Sequence, residues 1–188
     1  MPTYYEGAPI VNFENEISEE QYVRAWEVYQ TRKGVLRGRE IKCFFLFAAA
    51  ALIAIWIPVY RSHFTTFWLP VCGIVICLVL CGYYLFLMPR AVKSHAQEVF
   101  RSNRLLGLPD RVEIYRDSFL VQNEYESLSG HWTDFSECLE TPGLFVLLQG
   151  WDRTLLVIDK EDLPPEKIAV LSGHFSSVYV NKYHQLKK

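Results

Sequence analysis

Two long apolar runs interrupt an otherwise mixed pattern of hydrophobic and polar positions. The first, Cys43 to Tyr60, reads CFFLFAAAALIAIWIPVY; the second, Phe67 to Met88, reads FWLPVCGIVICLVLCGYYLFLM, and neither contains a charged side chain. A hydrocarbon core of about 30 Å takes roughly 20 apolar residues at 1.5 Å rise each. Both runs meet that length, and helices of a globular core seldom extend this far without a polar face. The pattern therefore predicts a hairpin of two transmembrane helices, 43–60 and 67–88, joined by the short loop RSHFTT. Pro58 and Pro70 are placed near helix ends, where a missing backbone donor costs little.

Before the hairpin, Ile10 to Glu16 alternates apolar and polar and predicts a strand. Ser18 and Gln21 have the spacing of a capping box, starting a helix that runs to about Thr31. Its aromatic stripe of Tyr22, Trp26 and Tyr29 is read as core packing, and Gly34 and Gly38 mark the break before the first apolar run. After Pro89 the helical pattern resumes, with a kink expected there, through about Arg104. Val92, Ala96, Val99 and Phe100 form the apolar stripe of this juxtamembrane helix.

From Arg111 the period changes to two. RVEIYRD, SFLVQNEYE, HWTDFSECLE, FVLLQ and TLLVID predict five strands, with turns at Asp117-Ser118, Ser129-Gly130, Pro142-Gly143 and Gly150 to Asp152. Pro142-Gly143 suits a type II turn with positive φ at the glycine. HWTDFSECLE has no cleanly apolar face, so it is expected to bend or to form an edge. Asp159 to Asp162 is expected to be a solvated loop. A last helix follows Pro164-Pro165, with Ile168, Leu171, Phe175, Val178 and Tyr179 on its apolar face, and the remainder reads as a loose tail.

The expected fold is an α+β membrane protein: a transmembrane hairpin plus a cytoplasmic antiparallel sheet capped by a C-terminal helix. Its segments are 1–42 (strand and helix), 43–88 (hairpin), 89–106 (juxtamembrane helix), 107–182 (sheet domain) and 183–188 (tail).

Charge adds orientation. Nine basic residues flank the runs (Arg32, Lys33, Arg37, Arg39, Lys42, Arg90, Lys93, Arg101 and Arg104), whereas the loop carries only Arg61 and His63. The positive-inside bias places both termini in the cytoplasm of a cell whose cytoplasmic, or inner, membrane holds the hairpin. Residues 106–188 hold 8 basic and 13 acidic side chains, which argues against nucleic acid as a partner. The acidic N-terminus does not read as a cleavable signal peptide.

Five cysteines, four of them in the apolar runs, do not form a disulfide framework, and no Cys/His spacing suits zinc. Gly73, Cys77 and Cys81 recur at i, i+4 and i+8 on the second apolar helix, and Ala50 and Ala54 offer a similar spacing on the first. Small residues let helix backbones approach closely in lipid. This stripe is the candidate helix–helix contact, either within the hairpin or toward a second copy or partner. Motifs for nucleotide binding or hydrolysis are absent, and no cofactor, metal or small-molecule substrate is indicated. His131, Asp134, Glu137 and Cys138 are the best local cluster, but strand alternation sets His131 and Cys138 on opposite faces. Cys138 is read as a buried small residue.

The stretch from Arg111 to Phe175 resembles the C-terminal domain of the YcxB-like family of bacterial membrane proteins. The matching features are a strand pair, the Trp-led segment Trp132 to Glu140, a Gly-Leu-Phe strand, and a closing Ile158/Lys160/Leu163 pattern followed by a helix. FENEISEEQYVRAWEVY followed by a helical hairpin fits the same layout. The resemblance implies a pleckstrin-homology-like domain that binds or assembles rather than catalyses. The expected role is a membrane-anchored module with a protein partner or a second copy of itself. The alternative is an accessory subunit of a membrane complex such as a transporter.

Overall fold

The structure, a computed structural model, describes residues 7–60, 64–148 and 155–186; Arg61, His63 and the turn expected at Gly150 to Asp152 lie outside them. The chain divides into a strand unit, residues 1–26 with 96–188, and a helical unit, residues 27–95.

The strand unit is α+β, but it holds two sheets where one was expected. The first has the order β1 (Val11–Asn15), β2 (Asp110–Ile114), β3 (Ser118–Gln122), β4 (Ser127–His131), antiparallel throughout. The second contains β5 (Glu137–Glu140), β6 (Leu144–Leu148), β7 (Leu155–Asp159) and β8 (Tyr183–Gln185), in the order β7-β6-β5-β8. Here β5 and β8 are parallel and the other pairs antiparallel.

The segment HWTDFSECLE makes the difference. It ends β4 at His131, turns through a 3-10 helix at Trp132–Asp134, and starts β5 at Glu137. Asp134 drives the turn: its Oδ2 accepts the His131 backbone N–H at 2.8 Å, as a residue three places into a helix does for its cap. His131 and Cys138 therefore belong to different sheets instead of opposite faces of one strand.

SFLVQNEYE is likewise two elements. Asn123 Oδ1 accepts from the N–H groups of Tyr125 (2.9 Å) and Glu126 (2.8 Å), an Asx turn that returns the chain into β4. Ser129 and Gly130 thus lie within β4 and not in a turn. Gly130 is required there for space, since a Cβ would come within 2.9 Å of Phe119 Cζ.

The N-terminal strand is not a separate segment. Val11 pairs with Ile114 and Asn15 with Asp110, so residues 16–109, with all the α-helices before the last, are inserted between two neighbouring strands. The tail is not loose either, because Tyr183 to Gln185 pair with Cys138 to Glu140.

Positive-φ glycines among the described residues are Gly7, Gly34 and Gly38, so Gly143 does not take the type II conformation. A type II turn would bond the Thr141 carbonyl to the Leu144 N–H. Instead the Thr141 hydroxyl accepts that N–H at 2.9 Å, and the carbonyl accepts from Lys160 Nζ at 2.8 Å.

The core joins Val112, Ile114, Phe119 and Val121 of the first sheet to Phe145, Leu147, Leu156 and Ile158 of the second, with Leu171 and Phe175 of α5 (Pro165–Val178) closing it. Trp132 is its keystone. The indole Nε1 donates to the Tyr115 carbonyl at 3.0 Å, its ring lies 5.1 Å from Phe119 and 5.3 Å from Phe175, and its carbonyl accepts from the Tyr179 hydroxyl at 2.7 Å.

Helix α1 (Glu19–Arg32) begins in the strand unit on the expected capping box: Ser18 N–H donates to Gln21 Oε1 at 2.8 Å, and Gln21 N–H to Ser18 Oγ at 3.3 Å. Its aromatic stripe is buried.

In the helical unit, α2 (Arg39–Tyr60) and α3 (Phe64–Gly82) are both long and apolar enough to cross a membrane. Gly34 and Gly38, at φ +85° and +68°, turn the chain into α2. Because α3 starts at Phe64, Pro70 falls in its interior and not near its end. The helix then passes through a π turn, Tyr83–Leu87, into α4 (Met88–Ser102). Pro89 explains that turn. Its ring crowds the carbonyl four residues back and it brings no N–H, so the register widens and the Met88 N–H reaches Tyr83 O.

Candidate functional site

The covered positions on α2 include Cys43, Leu46, Ala50, Ile53 and Ile57, in alternating steps of three and four, and those on α3 include Pro70, Ile74, Cys77 and Cys81 at the same steps. That spacing keeps one face of each helix on its neighbour, as in a coiled coil. Gly73 shares this face: a Cβ there would lie 3.3 Å from Ile53 Cδ1. Of the five residues named from the sequence, Gly73, Cys77, Cys81 and Ala50 are on covered positions. Ala54 is exposed, at the flank of the covered face of α2 one residue beyond Ile53. The outward faces carry large apolar side chains, with Phe44 69% and Leu69 73% exposed.

Within the strand unit, the entering and leaving segments of the insertion are tied together. Arg101 grips the Glu19 carboxylate through Nε and Nη2, both at 2.9 Å, and Gln97 adds a third bond at 2.9 Å. Tyr22 packs on Phe100, ring centroids 5.6 Å apart.

A second cluster centres on Glu140 at the end of β5. Lys160 Nζ donates to its Oε1 at 2.6 Å; Ser172 (2.9 Å), Gln185 (3.0 Å) and the Tyr183 hydroxyl donate to Oε2. Lys160 is 7% exposed and lies 4.1 Å over the Phe145 ring. Asp159 and Lys160 are therefore buried, and only Glu161 and Asp162 fit the expected solvated loop.

Burial alone would raise the Glu140 carboxyl; the donors from Lys160, Tyr183, Ser172 and Gln185 outweigh it and hold the carboxyl below its ordinary value. Burial and the Glu140 carboxylate push the Tyr183 phenol up to about 12. With both Glu140 oxygens occupied, the cluster acts as a clasp joining β5, β8, α5 and the residue after β7.

The cluster His131, Asp134, Glu137 and Cys138 is dispersed. His131 Nδ1 lies 3.2 Å from the Asp117 carbonyl, and Cys138 is fully buried, its thiol pushed up first by burial and then by Glu140. Among the described residues no three His, Cys, Asp or Glu side chains converge as metal ligands.

Two grooves flank Lys167, whose Nζ donates to the Asn12 carbonyl at 2.6 Å between β1 and α5. One, of about 270 Å³, lies toward Pro9, Ile10 and Val170; the other, of about 480 Å³, toward Phe13, Pro109 and Leu163. Neither the clasp nor the grooves can be read from local sequence. The groove residues come from segments more than a hundred positions apart, the clasp partners lie 20 to 45 positions from Glu140, and Lys160 sits in a charged run that gives no sign of burial.

No family model matches the chain, and no curated protein is significantly similar to it.

Proposed function

We propose that this protein is a membrane-anchored cytoplasmic binding or assembly module. Helices α2 and α3 span the cytoplasmic membrane as a hairpin, both termini are cytoplasmic, and the strand unit engages a protein partner or a second copy of the chain. The observation that carries this reading is the outward apolar surface of α3 and of α2 beyond Lys42, which carries no charged side chain. Only 11% and 6% of their most apolar windows is buried, and in water such surface would cost roughly 25 cal/mol per Å². The basic flanks, Arg37 to Lys42 before and within the first turn of α2 and Arg90 to Lys93 after α3, support the orientation.

A pleckstrin-homology-like reading of the strand unit is supported by its order: a four-strand meander, then three antiparallel strands, then a C-terminal helix. The same order supports kinship with the YcxB-like family. The grooves beside Lys167 are large enough to take side chains of a bound peptide or loop, and we assign partner contact to them. A second reading, an accessory subunit of a membrane complex such as a transporter, is favoured by Ala54, a small residue turned toward whatever surrounds the hairpin.

Co-purification from native membranes after chemical crosslinking tests the proposal. A specific associated protein or a dimer is expected, lost when Lys167 and Val170 are replaced by aspartate. Recovery of monomer alone would contradict it. A partner lost on Ala54→Phe and retained in the groove variant would favour the second reading.

A further inference from the structure

Cys43 and Cys81 meet across the α2–α3 seam, both almost wholly covered. Cys43 Sγ lies 4.0 Å from the carbonyl oxygen of Cys81, and Cys81 Sγ lies 3.7 Å from that of Cys43. Each thiol is thus folded over the other's backbone. A disulfide needs Cα atoms about 4.4–6.8 Å apart and Cβ atoms about 3.5–4.5 Å apart. Small residues let helix backbones approach closely, and the reciprocal thiol-to-carbonyl contacts put Cys43 and Cys81 at such an approach.

We propose that Cys43 and Cys81 are a covalent modification site, forming a reversible intramolecular disulfide that closes the end of the helical pair. Two S–H bonds break and one S–S bond forms. Two protons and two electrons pass to a lipid-soluble acceptor of the quinone or azo class, which becomes the hydroquinone or hydrazine. A small lipid-soluble oxidant fits because the seam shields both sulfurs from bulky water-borne disulfides. The remaining cysteines do not compete well. Cys72 is exposed on another face of α3, Cys77 lies one turn from Cys81 on the same helix, and Cys138 is sealed in the strand unit. The site lies within the helical unit and does not depend on how that unit is oriented in a membrane.

The test uses the full chain with Cys72→Ala, which removes the exposed thiol, purified in detergent and treated with the azo oxidant diamide. Of its four thiols, two are expected to become inaccessible to maleimide after denaturation. Peptide mapping should join the segments holding Cys43 and Cys81, and dithiothreitol should restore all four. Four free thiols after oxidation, or a bond that joins any other pair, would overturn the proposal. A Cys43→Ala, Cys72→Ala chain should keep its three thiols free; loss of two there would overturn it as well.

Discussion

Asn15 pairs with the backbone of Asp159 although the two belong to different sheets. The Asn15 side chain accepts the Asp159 N–H at 3.0 Å and donates to the Val157 carbonyl at 3.0 Å, so one carboxamide supplies what a neighbouring strand would otherwise supply along β7. Gln21 adds a bond of 2.6 Å to the Asp159 carboxylate. The start of the insertion is thereby fixed to the second sheet as well as the first.

Replacing Asn15 with leucine keeps the branched shape of the side chain and strands two buried backbone groups. At about 1–3 kcal/mol for each unsatisfied group, a loss of about 3 kcal/mol is expected. Chemical denaturation in detergent, followed by tryptophan fluorescence, measures it. Asn15→Asp, which retains only the acceptor, should fall between the two.

Lys160→Met removes one partner of a buried ion pair and is expected to cost about 3–5 kcal/mol, whereas Lys160→Met with Glu140→Leu should cost less than the sum of the single changes. The pH dependence has two limbs. The Glu140 carboxyl lies below its ordinary 4.5, so its contribution is full above 4.5 and lost as pH falls through the lower folded value. The Tyr183 phenol is raised, so its contribution is full below 10 and lost as pH rises toward about 12. Denaturation midpoints across pH should show both limbs in the native chain. The alkaline limb should weaken in Tyr183→Phe.

His174 lies edge-on to Trp132, with ring centroids 5.6 Å apart, and its Nε2 is buried with no hydrogen-bond partner among the described residues. Burial lowers its pKa, partly offset by Asp117. The unfolded chain therefore binds a proton that the folded one refuses. The stability that depends on a neutral His174 is complete above 6.5 and declines as pH falls through the folded value. Thermal denaturation from pH 7.5 to 5 should show this decline, and His174→Leu should flatten it.

Glycines give opposite predictions at two sites. A Cβ at Gly173, inside α5, meets nothing within 4 Å, so Gly173→Ala is expected to stabilise by up to about 1 kcal/mol. At Gly130 the added carbon presses on Phe119 and Asp134, both at 2.9 Å, and Gly130→Ala should destabilise by about 1–3 kcal/mol. Paired thermal melts of the two variants check both signs.

What could be read from sequence was what depends on near neighbours. The two apolar runs, the capping box at Ser18 and the apolar face of α5 all follow from composition and helical period. The misplaced features depend on distant residues. Trp132 looks like a strand residue until its indole reaches the Tyr115 carbonyl and its own carbonyl takes the Tyr179 hydroxyl, and the tail becomes β8 only because Cys138 to Glu140 leave an edge for it. Lys160 resembles its solvated neighbours in every local respect, and its burial follows from Glu140, twenty residues earlier. On α2, an i, i+4 reading joined Ala50 to Ala54, but packing in steps of three and four selects Ile53.

The most direct test is a set of topology reporters on the otherwise intact chain, fused after Lys42, within Arg61 to Thr66, and at the C-terminus, combined with alkaline extraction of membranes. The chain should stay in the alkali-washed membrane fraction, with the first and third reporters cytoplasmic and the second on the opposite side. Release by alkali, or a C-terminal reporter on the same side as the loop, would contradict a hairpin that holds its strand unit in the cytoplasm.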